Sequence, residues 1–245
     1  FNSVVADEAG NLYAVATFGN VSSAPLEMPL KDGSSTSLAV TNNWGEDYLL
    51  VKFNKDGEIL WATNIGSKFR ENGAPDVTVG KDGNPVICGV FNAANGNLTN
   101  ESEEKREFYI GEQKYLLYPE QSKESALVKL NSADGSVMWS RYFTGTGNQE
   151  VLKVQAVSGS NAVAVTGKAN NQIIVEGSAG LSTETVTHVS GADHLFVISF
   201  DVDGKLLWSK SASGDTSSEG KEISSDDLGN IYVSGYFNGS LNWGD

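Results

Sequence analysis

The sequence predicts an all-β protein: a β-propeller of four-stranded antiparallel blades, with three complete repeats and a truncated fourth. Three observations carry that prediction. A strand–turn–strand element recurs four times, and its turn asparagines, Asn11, Asn84, Asn161 and Asn230, are spaced 73, 77 and 69 residues apart. A second element recurs three times and ends in Trp61, Trp139 and Trp208, spaced 78 and 69 residues apart. The two elements keep phase along the chain, which marks one supersecondary unit repeated in tandem.

The first element reads Val4 to Phe18, Val77 to Phe91, a degenerate copy Val154 to Gly167, and Ile223 to Phe237. Its Gly-Asn turns supply residues that tolerate positive φ, as tight hairpin turns require. The flanking runs are strand-length and rich in Val, Ile, Leu, Phe and Tyr. The second element reads Tyr48 to Trp61, Ala126 to Trp139 and Leu195 to Trp208, each with an Asp-Gly turn in the middle. Stretches such as Val86 to Val90 are almost continuously apolar, which suits strands covered on both faces. Each repeat therefore reads as strands A-turn-B-loop-C-turn-D. One such sheet cannot bury both faces; sheets stacked about an axis can. The expected repeats are 1–68, 69–147, 148–215 and an incomplete 216–245. The tryptophan falls on strand D, expected to be the outermost, where it should pack against the next blade. By the phase of the others, the strand-D tryptophan of the fourth repeat would come after Asp245, and Trp243 comes too early to be it. The chain is therefore expected to be a fragment of a longer propeller, processed or trimmed at Phe1.

On these residues the chain resembles a known family. Asp226-Asp-Leu-Gly-Asn-Ile-Tyr-Val-Ser-Gly235 is similar to the bacterial β-propeller repeat often called the SBBP repeat, whose pattern is D-x-x-G-N-x-Y-x-x-G followed by an apolar strand, a D-x-D-G-like turn and a closing aromatic strand. The turn–tryptophan element also resembles the tryptophan-docking blades of quinoprotein-like propellers. The resemblance implies a propeller of bacterial origin, and it implies a fold more firmly than an activity.

Composition narrows the partners. There are 31 acidic and 17 basic residues, a net charge of −14. That argues against nucleic acid, which is bound largely through cationic contacts to phosphate, and against anionic membrane surfaces. No apolar run approaches the roughly 20 residues of a membrane-spanning helix, so no membrane insertion is expected, and no leader is visible. Cys88 is the only cysteine and lies in an apolar strand, as an inert core thiol does. With two histidines, His188 and His194, most histidine-based metal clusters are excluded. Asn54-Lys-Asp-Gly57 and Asp201-Val-Asp-Gly204 echo the start of a calcium loop, but the closing positions are Ile65 and Ala212, so they read as hairpin turns. No nucleophile elbow and no phosphate loop is present. No catalytic residue, cofactor or metal is expected.

Strand polarity sorts the connections. The A–B and C–D turns share one face and are tight. The other face carries the long segments, 19–46, 92–124 and 168–192 between B and C, and 65–74, 144–150 and 212–220 between D and A. Long connections on a rigid scaffold are where binding concentrates. Each B–C segment offers a ring shortly before strand C: Trp44, Tyr118 and His188. Such a rim can stack on sugars, so these three are the expected ligand-binding residues. The charged segment Asn100 to Glu107 reads as a solvated loop or a short helical turn. The leading expectation is a non-catalytic binding module for a glycan or protein, exported to the periplasm or cell surface. The alternatives are a quinoprotein-like or carbohydrate-active enzyme, with acids from different blades meeting at the axis, and a structural spacer in a larger surface protein.

Overall fold

A computed structural model of the chain describes residues 1–19, 25–38, 46–67, 73–92, 107–116, 123–178, 181–186, 191–214 and 216–243. Those residues form strands and turns, with no helix among them. The first repeat contains β1 (Ser3–Ala6), β2 (Leu12–Gly19), β3 (Leu26–Pro29), β4 (Ser35–Leu38), β5 (Glu46–Phe53) and β6 (Ile59–Ser67). The second contains β7 (Asp76–Val79), β8 (Pro85–Asn92), β9 (Glu107–Ile110), β10 (Gln113–Leu116), β11 (Lys123–Leu130) and β12 (Val137–Thr144). The third contains β13 (Gln149–Ala156), β14 (Val163–Ala169), β15 (Ile173–Gly177), β16 (Glu184–Val186), β17 (His194–Phe200) and β18 (Leu206–Ser213). The fourth contains β19 (Ser218–Ser225), β20 (Ile231–Phe237) and β21 (Asn242–Trp243).

The expected A, B, C and D strands pair antiparallel in sequence order, as β1-β2-β5-β6, β7-β8-β11-β12 and β13-β14-β17-β18. Strand D is not the outermost strand, and the B–C segments are not plain loops. In the first three repeats each holds a short hairpin, and from the second repeat onward a strand of the segment joins the outer edge of the preceding sheet. β9 pairs with β6, with Ile65 opposite Ile110. β15 pairs with β12, with Phe143 opposite Val175. β21 pairs with β18, with Ala212 opposite Trp243. The physical reason is the edge. A D strand left outermost would present unpaired N–H and C=O groups, and the next repeat's hairpin satisfies them. The first repeat's hairpin, β3–β4, instead lies over its own sheet. Leu38 is buried against Ala16, Leu49 and Val51, and the Lys31 N–H donates to the Ile59 carbonyl at 2.8 Å.

Alternating side chains from each sheet fill two main cores. Tyr13, Val15, Tyr48, Leu50, Trp61 and Ile65 pack on the second sheet's Ile87, Phe91, Ala126 and Val128. The second sheet's other face gives Cys88, Leu127, Trp139 and Phe143, which pack on Val165, Phe196, Ile198 and Phe200. A smaller cluster joins Val157, Ala164 and Val197 to Ile223 of β19. Cys88 is buried, and burial holds its thiol well above the ordinary value, which keeps it unreactive.

The recurring tryptophans lock neighbouring repeats together. The Trp61 indole N–H donates to the Ser132 carbonyl at 3.0 Å; Trp139 does the same to the Val202 carbonyl at 2.9 Å. Each ring lies on a turn glycine of the next repeat. A Cβ on Gly135 would stand 3.0 Å from the Trp61 ring, and one on Gly204 would stand 2.8 Å from Trp139. Both glycines also have positive φ, so two independent demands meet at one residue.

The Asp of the D-x-x-G-N turn holds its hairpin together. Asp226 accepts hydrogen bonds from the backbone N–H of Leu228 and Asn230, the Asn230 amide and the Tyr232 hydroxyl. Asp7 accepts from the N–H of Ala9 and Asn11 and from the Asn11 amide. The hydrogen bond from the Asn230 amide, the strongest influence, holds the Asp226 carboxyl below its ordinary value, with its backbone donors helping. At Asp7 burial pushes upward most, yet the Asn11 and backbone donors and the Lys52 charge together win, and its carboxyl is also lowered. A carboxylate with a lowered folded value adds stability above its unfolded value, about 4, and that stability is lost as pH falls through the folded value. The melting temperature should therefore drop on acidification below about pH 4. Asp7→Asn together with Asp226→Asn should lower it at neutral pH and flatten the acid drop, which a pH series of thermal melts reads directly.

Candidate ligand groove

The first strands of the four repeats, β1, β7, β13 and β19, lie side by side, β1 against β7, β7 against β13, and β13 against β19. No ladder pairs them with one another. Their facing N–H groups therefore need side-chain acceptors, and the sequence supplies them. Asp76 accepts from the Val154 N–H at 3.1 Å, Thr78 from the Ala156 N–H at 3.0 Å, and Ser225 from the Ser158 N–H at 3.1 Å. Between these strands runs a groove of about 490 Å³.

The groove is lined by the same position of each repeat. Ser3, Asp76, Lys153 and Glu222 each precede the apolar residue that opens the first element, and all four line it. Lys153 pairs with Glu222 at 3.5 Å. Lys81 and Gln155 add further polar groups. Carboxylates, ammonium groups, hydroxyls and an amide line this groove, with no ring, imidazole or thiol among them. Such a set suits hydrogen bonding and charge pairing to a polar ligand.

A second polar cluster sits at the ends of the strands that carry the longer connections. Lys168 lies 3.7 Å from Glu150, 3.2 Å from Asp193 and 3.8 Å from Glu219. Lys123 reaches Glu150 at 3.2 Å, and Lys221 reaches Glu219 at 2.5 Å. The Tyr236 hydroxyl donates to Glu219 at 2.8 Å. Burial works against the Lys168 charge, but Glu150, Asp193 and Glu219 outweigh it and raise its pKa. At Glu219 burial pushes upward, and the Lys221 and Tyr236 hydrogen bonds with the Lys168 charge overcome it, so its carboxyl is lowered. Acids from different repeats do meet here, but they meet around lysines. Glu219, held ionised, lacks the raised pKa of a general acid, and the cluster ties repeats two, three and four together.

The three ring residues Trp44, Tyr118 and His188 lie outside the described residues, as do residues 100–106 of the charged segment. Both calcium-like turns are hairpin turns: Asp201 accepts the N–H of Asp203 and Lys205, and Asn54 accepts that of Asp56 and Glu58. No group of three metal-ligating side chains forms among the described residues, and no helix of the structure is long and apolar enough to cross a membrane. The groove residues escaped the sequence reading, although a signal existed. A polar residue stands immediately before Val4, Val77, Val154 and Ile223, at the same offset in every repeat.

No protein-family model matches this chain, and no curated protein matches it in sequence.

Proposed function

We propose that the chain is a β-propeller of the SBBP-like, tryptophan-latched kind, exported to the periplasm or cell surface, and that it acts as a non-catalytic binding module for a protein or glycan. The observation that carries the reading is the groove: four first strands side by side, lined by polar residues at one repeated position. Radial repetition around a channel is how propellers create such sites. The repeated strand exchange supports the scaffold role, because the sheets of the first three repeats are each hydrogen-bonded to part of the next repeat. The lining favours an extended polar peptide in the groove, since it offers alternating charge and no ring on which a sugar face would stack. A glycan would use Trp44, Tyr118 and His188.

A thermal-shift screen against extended peptides of both charges and a panel of glycans tests the proposal. A ligand at about 100 times its dissociation constant stabilises by roughly 2.7 kcal/mol, or several degrees for a chain of this size. A peptide shift that disappears in Lys153→Ala/Glu222→Ala places the ligand in the groove. A glycan shift lost only in the Trp44→Ala/Tyr118→Ala/His188→Ala variant moves binding to the long-connection face. No shift with any ligand overturns the binding-module reading in favour of a structural spacer.

A further inference from the structure

The turn after each first strand places one residue at the same offset: Glu8, Lys81, Ser158 and Asp227. In the first and fourth repeats that residue is an acid following another acid, Asp7-Glu8 and Asp226-Asp227. The second and third repeats break the pattern with Gly80-Lys81 and Val157-Ser158. The break falls at the groove. Lys81, Ser158 and Ser160 line it, whereas Glu8 and Asp227 do not. The hydrogen bond from the Ala156 N–H to Thr78 sets the two altered turns side by side.

The donors at this mouth are unspent. Lys81 is exposed, and among the described residues no carboxylate pairs with it. Its neighbour Asp82 is engaged elsewhere, 2.5 Å from Lys129 and accepting from the Asn84 N–H and amide. The groove's other charges are also engaged: Lys153 pairs with Glu222 at 3.5 Å, and Asp76 accepts the Val154 N–H. The Ser225 hydroxyl donates to the Ser158 hydroxyl oxygen at 3.4 Å, which leaves the Ser158 proton for a ligand. The Ser160 hydroxyl donates to the Val157 carbonyl and serves as wall. A free ammonium beside a free hydroxyl donor suits an anion.

We propose that Lys81 and Ser158 hold a carboxylate of the bound peptide at the tight-turn mouth of the groove; this rests on the reading that the groove binds a peptide. A groove of about 490 Å³ is the size of a small-ligand pocket, so it holds a few residues rather than a long strand. A carboxylate accepts on both oxygens. The Lys81 ammonium gives it a charge-assisted hydrogen bond, and the Ser158 hydroxyl adds a second. The peptide's C-terminus and an acidic side chain near it offer the same group, and capture of a terminal carboxylate is a recurring mode of peptide recognition.

The test titrates the isotope-labelled whole chain with three acetylated tetrapeptides and follows its backbone amide resonances. The peptides are tetra-alanine with a free C-terminal carboxylate, its C-terminal amide, and an amidated variant with glutamate at the third position. The free acid is expected to shift the Lys81 and Ser158 amides saturably, and the tetra-alanine amide to bind about fivefold more weakly. Lys81→Gln should abolish that difference. Lys55→Gln should preserve it, because Lys55 is an exposed lysine of another turn, 2.9 Å from Asp56 and outside the groove lining. Tighter binding of the glutamate peptide than of the free acid places a side-chain carboxylate in the seat. If acid, amide and glutamate peptide bind alike, or the preference survives Lys81→Gln, the carboxylate seat is overturned and the groove keeps its peptide reading. No saturable shift at the groove with any of the three also overturns the seat, and the screen of longer peptides then decides the wider reading by itself.

Discussion

Trp139→Ala should destabilise the protein by about 3–5 kcal/mol, while Trp208→Ala should cost about 1 kcal/mol or less. The two residues hold the same place in the repeat, so the comparison isolates the neighbour. Trp139 is 5% exposed; its ring lies against Gly204 and its N–H is held by the Val202 carbonyl. Truncation there opens a cavity that the rigid β17–β18 turn cannot collapse to fill, and it strands a buried carbonyl. No turn among the described residues covers Trp208, and the residue is 41% exposed, so truncation removes surface that is already partly wet. Thermal melts read the difference, at about 2–4 °C per kcal/mol for a chain of this size. Equal losses would mean that the ring itself, and not the contact between repeats, supplies the stability. Trp61→Ala should behave like Trp139→Ala, because it repeats the latch on Ser132 and Gly135.

Arg141→Met should be of similar severity, about 3–5 kcal/mol. Arg141 is fully buried and joins three separate elements. Its Nε donates to the Gly204 carbonyl at 2.7 Å, Nη1 to the Ser182 carbonyl at 2.6 Å, and Nη2 to the Glu184 carboxylate at 2.8 Å. The guanidinium also lies 5.6 Å from the centre of the Phe200 ring. One side chain thus fastens β12 to the turn of the next repeat and to the hairpin that repeat contributes. Removing it leaves Glu184 half-buried without its counter-charge and two carbonyls without donors, and that orphaning accounts for most of the cost. Arg141→Lys keeps the charge but not the planar fork, so it should recover only part of the loss. Arg141→Met combined with Glu184→Gln should be less damaging than the sum of the single changes. A double-mutant cycle on denaturation midpoints measures that coupling. Strict additivity would show that the two side chains do not depend on each other.

Much of the fold was legible because the repeat states it four times. Asn11, Asn84 and Asn230 mark turns that the structure closes with an aspartate carboxylate two or four residues earlier. The inward role of Trp61 and Trp139 was readable from their phase with the Asp-Gly turns. The hairpins β3–β4, β9–β10 and β15–β16 were not readable. Their strands are only three to five residues long, their turns share no motif, and their partners belong to another repeat. The groove was half legible: the polar offset at Asp76, Lys153 and Glu222 stands in the sequence, but no periodicity says that four strand edges face one another.

The sequence by itself determined the A-B-C-D pairing order within a repeat, the turn positions, the residues that alternate inward and the fact that adjacent repeats must bury one another's faces. Those follow from local backbone preferences and a two-residue side-chain period, which a chain carries wherever it is placed. Only the tertiary structure decided that the β9–β10 and β15–β16 hairpins cross to the preceding sheet, that Arg141 ties three elements at once, and that Trp208 is more exposed than Trp61 and Trp139. Each of these depends on which distant segment fills an edge or covers a ring. Hydrogen-bond satisfaction and packing settle that choice between segments tens of residues apart, beyond the reach of any local pattern.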